Sequence, residues 1–181
     1  MRRLIPPFAA LAALMLPSVA HADLPVGTKA PLFRTSIALA GMAKRFSLHS
    51  ALRRGPVVLY FYPKAFTQGC TLEAHAFAEA TDDFAALGAT VIGMSADDLP
   101  TLQKFSVEAC RDKFAVGVAT PNIVKSYDVA LNRPGMPASL TKRTSYVIGR
   151  DGKIVMVHSD MDYRDHVKLT LAAVKGLAKK K

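Results

Sequence analysis

The sequence of 181 residues contains only two cysteines, Cys70 and Cys110, which excludes a small fold held together by disulfides. It also has no C-x-x-C pair and no histidines or cysteines at convincing metal-ligand spacing, so no metal site is expected. No apolar run is long and unbroken enough to act as a stable membrane anchor. Internal repeats and low-complexity segments are absent as well. Such a chain has to be stabilised by a hydrophobic core.

Acidic side chains are outnumbered, with 14 Asp and Glu against 24 Lys and Arg and a formal net charge of +10. Part of the excess lies in the terminal run Lys179-Lys180-Lys181, which we interpret as a solvated end. A nucleic-acid-binding protein would combine a basic face with interleaved aromatic residues or carry a known motif, and this sequence shows neither. Nucleic acid is therefore not expected as a partner.

The N-terminal segment has the pattern of an export signal. The basic leader Met1-Arg2-Arg3 is followed by a mostly apolar stretch up to Val19, and Ala20-His21-Ala22 matches the small-x-small pattern of a signal-peptidase site. The sequence thus predicts a cleaved signal peptide at 1–22 and one domain at 23–181. Export would place this domain in the periplasm, an oxidising compartment, without stable insertion into the membrane.

The domain alternates strand and helix patterns. Val57 to Tyr62 and Thr90 to Ser95 are continuous apolar runs, typical of strands buried on both faces. Apolar residues recur at helical spacing from Cys70 to Leu87, which predicts a strand–helix–strand unit with both strands parallel in one sheet. The other predicted elements are a short strand at Arg45 to Leu48, a helix from Asp98 to Lys113, a short strand at Phe114 to Val118, a short helix at Pro121 to Tyr127, a loop at Leu131 to Leu140, a hairpin of Thr144 to Gly149 with Lys153 to His158, and a helix at Asp162 to Lys175.

Cys70 stands at the start of the helix that follows the first buried strand. At this position, unpaired backbone N–H groups and the positive end of the helix dipole favour a thiolate over a thiol. Because the thiolate is the nucleophilic form of cysteine, Cys70 is the candidate reactive residue. The alternative is a small buried cysteine that packs as a hydrophobe, which is common for an arbitrary cysteine. The strand, turn and helix start around Cys70 favour the reactive role.

Two motifs at this cysteine resemble one protein family. Pro63 to Cys70 matches P-x-x-x-T-x-x-C, the signature of peroxiredoxins, and Cys70 to Ala74 is similar to the thioredoxin-dependent branch of bacterioferritin comigratory protein and the Q-type peroxiredoxins, within the AhpC/TSA superfamily. The segments Gly27 to Phe33 and Arg143 to Ile148 also resemble parts of this family. The resemblance and the order of the elements imply an α/β thioredoxin-like fold, with a central mixed β-sheet flanked by helices.

The resemblance implies a role for each of several residues. Cys70 would be the peroxidatic thiolate, which attacks a peroxide oxygen and becomes a sulfenic acid. Arg143 would hold the thiolate and the peroxide oxygens, Thr67 would share its hydroxyl between sulfur and substrate, and Pro63 would shape the pocket. Considered alone, Arg143 would be a surface cation, Thr67 a turn residue, and Pro63 a residue that ends a strand. Glu73 matches a family position that orients the active-site loop, but a carboxylate in the first helical turn is equally ordinary, so we leave it out of the catalytic set.

The regeneration of Cys70 depends on a second thiol. Many relatives in this branch carry a resolving cysteine five residues after the peroxidatic one, where this chain has His75, which is expected to be an exposed helix residue. Cys110 lies in a region where some relatives carry a resolving cysteine, so the resemblance implies an intramolecular Cys70–Cys110 disulfide. If Cys110 is only a buried free cysteine, Cys70 would rely on an external thiol.

The leading hypothesis is a periplasmic thiol peroxidase that reduces hydrogen peroxide and organic hydroperoxides, with electrons returned by a thioredoxin-like or other thiol donor. No metal, flavin or haem is implied, and a monomer or weak dimer is expected. One alternative is a thioredoxin-like disulfide oxidoreductase, which the missing C-x-x-C disfavours. Another is a non-enzymatic binding or chaperone module on the same fold. Peroxide consumption that depends on Cys70 would separate the three.

Export can be checked at the N-terminus of the mature protein. Cleavage after Ala22 would leave Asp23 as the first residue, because signal peptidase cuts after the second small residue of its site. N-terminal sequencing of the protein from the periplasmic fraction measures this directly. Recovery of an intact chain beginning at Met1 from the cytoplasm, with none in the periplasm, would contradict the prediction.

Overall fold

The computed structural model describes residues 23–137 and 139–179, so the predicted signal peptide lies outside the described residues. These ranges contain seven strands in one mixed sheet and five helices. The predicted α/β class is confirmed. Within the described ranges, no helix is both long enough and apolar enough to cross a membrane.

The chain forms a strand hairpin and a short helix, then three strand–helix units, and finally a second hairpin followed by the C-terminal helix. In chain order they are β1 (Arg34–Leu39), β2 (Met42–Ser47), α1 (Leu48–Arg54), β3 (Val57–Phe61), α2 (Gln68–Ala86), β4 (Thr90–Ser95), α3 (Leu99–Glu108), β5 (Ala115–Val118), α4 (Pro121–Ser126), β6 (Thr144–Ile148), β7 (Ile154–Ser159) and α5 (His166–Ala178). The strand order is β2-β1-β5-β4-β3-β6-β7. As predicted, β3 and β4 are parallel; β4 is also parallel to β5, and the other pairs are antiparallel.

The central strand β3 is buried on both faces, and its side chains alternate between two core layers. Val57, Leu59 and Phe61 belong to the layer covered by α1 and α4. Tyr60 and the residues on its face belong to the layer covered by α2, α3 and α5. Tyr60 stacks on Phe77 of α2, with ring centroids 4.3 Å apart. The second layer therefore receives the buried face of the helix that carries Cys70.

Two elements near the N-terminus, β1 and α1, were not predicted. β1 and β2 are joined by Ala40 and Gly41, whose φ angles of 50° and 73° are those of a two-residue hairpin turn. Alanine is a weak signal for this turn, since it rarely adopts positive φ. α1 spans only seven residues, which is too short for helical periodicity to be recognised.

Two predicted helix boundaries were also wrong. α3 ends at Glu108, so Cys110 lies in the following turn rather than in the helix. The last helix begins at His166 rather than Asp162, because the preceding segment forms side-chain turns instead. In one of them, the Asp162 carboxylate accepts the backbone N–H of Arg164 at 3.2 Å.

Candidate active site

The turn between β3 and α2 is fastened to the sheet at two points. The Thr141 hydroxyl donates to the carbonyl oxygen of Tyr62 at 2.7 Å. The Asp97 carboxylate, just after β4, accepts the backbone N–H of Ala65 at 2.7 Å. Both contacts join segments that are far apart in the chain. They fix where α2 begins relative to β4 and β6.

Cys70 is the third residue of α2 and its side chain faces the core. Glu73, Ala74 and Phe77 follow it at spacings of three, four and seven, so all four share one face of the helix. All four are buried, and Cys70 is only 2% exposed. The thiol that was predicted at the helix start is therefore shielded from bulk solvent by its own helix.

Arg143 lies immediately before β6 and is 4% exposed. Its Nη2 lies 3.5 Å from the Cys70 sulfur, its Nη1 donates to the Glu73 carboxylate, and its Nε donates to the carbonyl oxygen of Met161 at 3.0 Å. Burial opposes the charge, but Glu73 and Cys70 raise the pKa of Arg143 above its ordinary value. A permanently cationic, planar donor is thus held against the sulfur.

Glu73 is a site residue that sequence reasoning left out. α2 begins at Gln68, so Glu73 is in its second turn, beyond the free N–H groups that a first-turn carboxylate would serve. It is fully buried, and this burial raises the pKa of its carboxyl although Arg143 opposes the shift. One oxygen pairs with Arg143, and Oε1 has no hydrogen-bond partner among the described residues. Its place on the Cys70 face of the helix was the signal that could have identified it.

Thr67 and Pro63 lie on the solvent side of this arrangement. The Thr67 hydroxyl donates to the carbonyl oxygen of Lys64 at 3.0 Å, and the residue is exposed. It precedes the first residue of α2 but makes no capping hydrogen bond with its side chain. Pro63 is half-buried and lines a surface cavity of about 300 Å³ together with Asp97 and Leu140. The structure thus brings Cys70 and Arg143 together, while the Thr67 hydroxyl points to the turn.

Cys110 is completely buried in the same core layer as Cys70, and both thiols are free. Burial raises the pKa of the Cys110 thiol far above its ordinary value, so in this position it remains protonated. The next two residues, Arg111 and Asp112, have φ angles of 51° and 60°, a strained conformation for residues other than glycine. The turn that carries Cys110 is therefore held in place against local strain.

His166 lies behind Arg143 and Glu73 and is completely buried at the start of α5. Its Nε2 lies 3.0 Å from the carbonyl oxygen of Asp160, and its Nδ1 lies 2.8 Å from Oγ of Ser145. Because a carbonyl oxygen can only accept, Nε2 carries the proton and Nδ1 accepts from the Ser145 hydroxyl. Burial lowers the pKa of His166 to about 4. The imidazole is thus neutral near pH 7, and sequence reasoning missed it.

Metal binding has no support in the described part of the chain. Within residues 23–137 and 139–179, there is no group of three or more His, Cys, Asp or Glu side chains that could hold a metal ion. His75 is half-buried on α2.

The buried, neutral His166 is expected to make stability depend on pH. Below about pH 6.5 the unfolded chain protonates this imidazole, whereas the folded protein does so only near pH 4, so the free energy of unfolding falls as the pH drops through this window. One proton contributes at most roughly 1.4 kcal/mol per pH unit. His166→Gln cannot titrate and should show a shallower decline in urea unfolding across this range. Equal pH dependence in both proteins would contradict the assignment.

Comparisons with known proteins agree on one family. The AhpC/TSA family model matches residues 26–157. The chain is 29% identical to peroxiredoxin Bcp of Bacillus subtilis over 126 residues, 68% of this chain and 80% of that protein. It is 32% identical to chloroplastic peroxiredoxin Q of Populus jackii over 130 residues, 71% of this chain and 59% of that protein. The crystal structure of peroxidoxin BcpB from Mycobacterium tuberculosis has a TM-score of 0.70 at 30% identity, and the match covers 84% of this chain and 97% of that one.

These likenesses extend over most of the domain and include the helix that carries Cys70. They confirm the thioredoxin-like fold and the family that the two motifs around this cysteine resemble. The chain therefore belongs to the AhpC/TSA family, as a peroxiredoxin of the Bcp and peroxiredoxin Q type, and is a thiol-dependent peroxidase.

Proposed function

We propose that Cys70 is the thiol that peroxide oxidises and that Arg143 is the donor that assists the reaction. The observation that carries this proposal is the 3.5 Å separation between Arg143 Nη2 and the Cys70 sulfur. Arg143 is tied to Glu73 and to the Met161 carbonyl oxygen, so its orientation is set before any substrate arrives. A donor that needs no reorganisation is worth most in a site shielded from water.

The reaction has two products. The Cys70 thiolate attacks one peroxide oxygen, a sulfur–oxygen bond forms, and the O–O bond breaks. The leaving oxygen takes the bonding electron pair, and the proton that the thiol released on ionisation neutralises it. It departs as water or an alcohol, and the sulfur becomes a sulfenic acid. Arg143 stabilises the negative charge as it moves from sulfur to the leaving oxygen. Hydrogen peroxide and organic hydroperoxides are both substrates of this scheme.

Thr67 and Pro63 are assigned to the substrate side of the site. In the structure the Thr67 hydroxyl donates to Lys64, and because its side chain makes no capping bond, the hydroxyl can turn to the peroxide when substrate is present. Pro63 lines the surface cavity beside the turn, and its proposed role is to shape this side of the site. Thr67→Val should therefore slow peroxide reduction less than loss of Arg143.

We infer that Cys110 regenerates the site. Its thiolate attacks the sulfur of the sulfenic acid, hydroxide leaves and is protonated to water, and a Cys70–Cys110 disulfide remains. Cys70 and Cys110 are buried on separate elements, and burial keeps Cys110 as a thiol, so we propose that the start of α2 and the turn after α3 open for this step. A thioredoxin-like dithiol then supplies two electrons by disulfide exchange.

The proposed setting is the periplasm, where the signal peptide would deliver the domain, and the proposed state is a monomer or weak dimer. The edge strand β2 is mostly exposed and carries Lys44 and Arg45. Charged side chains on an edge strand oppose pairing with a second sheet. This feature supports a monomer over an assembly built through that edge.

The assignment of Cys70 and Arg143 predicts distinct defects. Cys70→Ser should abolish peroxide turnover because no thiolate remains, and Arg143→Ala should lower the rate constant for single-turnover oxidation on the order of a hundredfold. Stopped-flow measurement with hydrogen peroxide gives both values. The matched control is Arg150→Ala, an exposed arginine that donates to the carbonyl oxygen of Arg53, which should keep the normal rate. Near-normal oxidation in Arg143→Ala would remove Arg143 from its role.

The role of Cys110 is tested by its products. After one equivalent of peroxide, peptide mapping should show Cys70 linked to Cys110. Cys110→Ser should instead accumulate the Cys70 sulfenic acid or an intermolecular product, because the internal nucleophile is missing. Unchanged turnover with thioredoxin in Cys110→Ser, together with no linked peptide in the native protein, would show a one-cysteine enzyme.

A further inference from the structure

We propose that His166 is a positioning residue for peroxide reduction. It holds the backbone at Asp160 and Met161, and this backbone in turn orients the Arg143 guanidinium on the Cys70 sulfur. The inference rests on the role proposed above for Arg143. The imidazole of His166 bonds to the Asp160 carbonyl oxygen and to Ser145, so its proposed effect on the sulfur passes through Arg143.

A line of hydrogen bonds carries the proposal. His166 Nε2 donates to the carbonyl oxygen of Asp160 at 3.0 Å, and the next carbonyl oxygen, that of Met161, accepts Arg143 Nε at 3.0 Å. Arg143 Nη2 then lies 3.5 Å from the sulfur of Cys70. Two neighbouring peptide groups thus connect a buried imidazole to a buried guanidinium.

The segment between β7 and α5 has few other contacts that would hold the Asp160 and Met161 carbonyl groups in these positions. Most of its residues are exposed, and the Asp160 carboxylate bonds only to the N–H of Asp162 within the same segment. Such local turns leave the segment free to move as a unit. The His166 contact fastens it to the core, since the imidazole is completely buried.

The second ring nitrogen of His166, Nδ1, does not compete with Arg143 for the Glu73 carboxylate. Nδ1 accepts the Ser145 hydroxyl at 2.8 Å, so it has no proton to donate to Oε1 of Glu73, which lies 3.8 Å away. Glu73 therefore has Arg143 as its hydrogen-bond donor. The charged or titratable groups around the ring are Glu73 on α2, Arg143 before β6, His158 on β7 and Asp160 after it. A neutral imidazole can make both hydrogen bonds, because Nε2 donates to the Asp160 carbonyl oxygen and Nδ1 accepts from Ser145.

Loss of the Nε2 contact has a defined consequence. The guanidinium would keep its pair with Glu73 but lose the fixed carbonyl on Nε, and it could then pivot about the Glu73 pair. Nη2 would leave the sulfur for part of the time. The peroxide step should slow, although neither Cys70 nor Arg143 has changed.

Two substitutions separate this effect from general packing. The side-chain nitrogen of glutamine reaches about as far as Nε2, whereas that of asparagine reaches only as far as Nδ1. His166→Asn should lower the second-order rate constant for single-turnover oxidation by at least about tenfold, and His166→Gln should stay within about threefold of the native value. Thr170→Val is the matched control, because it removes the hydroxyl that bonds the His166 carbonyl oxygen and leaves Nε2 untouched. It should oxidise at the native rate.

A double-mutant cycle tests the route of the effect. In an Arg143→Ala protein, adding His166→Asn should cause no further loss of rate, because the histidine acts through the arginine. A native rate in His166→Asn, an equal loss in His166→Gln, or additive losses in the double variant would each overturn the proposal. If Arg143→Ala is slow and His166→Asn is not, only this inference fails. If Arg143→Ala oxidises at the native rate, the proposed role of Arg143 fails, and this inference fails with it.

The native protein supplies a readout that needs no variant to fold. Nitrogen NMR of the imidazole should show a neutral ring with the proton on Nε2 at pH 7, since Asp160 accepts from that atom. A ring protonated on Nδ1, or a charged ring, would overturn the proposal irrespective of the kinetics.

Discussion

The burial of one positive charge is the constraint on which the site depends. A guanidinium removed from water is tolerated only if its donors are paired, and Arg143 meets this requirement with Glu73, the Met161 carbonyl oxygen and the Cys70 sulfur. The three partners come from α2 and from the segment between β7 and α5. The same contacts that make the buried charge tolerable also hold it against the Cys70 sulfur, so stability and the proposed chemistry share one set of hydrogen bonds.

The fold supplies these partners by bringing distant segments to one end of the sheet. Asp97 and Thr141 tie down the turn before α2, and the stacking of Tyr60 on Phe77 seats the helix on β3. This rigidity suits attack on a small peroxide, which needs no large opening. It does not suit disulfide formation with Cys110, which is buried after α3. Under the role proposed for Cys110, the protein would alternate between a packed state for oxidation and an opened state for disulfide formation.

Local sequence patterns were sufficient to predict the strand–helix–strand unit and the position of Cys70 at the start of its helix. Long apolar periodicities can be recognised without knowledge of the rest of the fold. They could not place Arg143 beside Cys70, since 73 residues separate the two and only the family resemblance connected them. Glu73 was considered but left out of the catalytic set, because a capping carboxylate and a buried partner look alike in sequence. A single histidine such as His166 carries no local sequence signal of its role. α1 was too short to be recognised, and the turn after β1 was too weakly marked by its sequence.

We propose that Arg143 acts through its fixed fork of donors and not through its charge alone. The most direct test is the rate constant for oxidation of Cys70 by hydrogen peroxide in Arg143→Lys, which keeps the charge but has a single ammonium that cannot bridge Cys70, Glu73 and Met161 together. We expect Arg143→Lys to lose at least about tenfold in this rate constant relative to the native protein. A native rate in Arg143→Lys would contradict it, because a positive charge without the fork would then be sufficient.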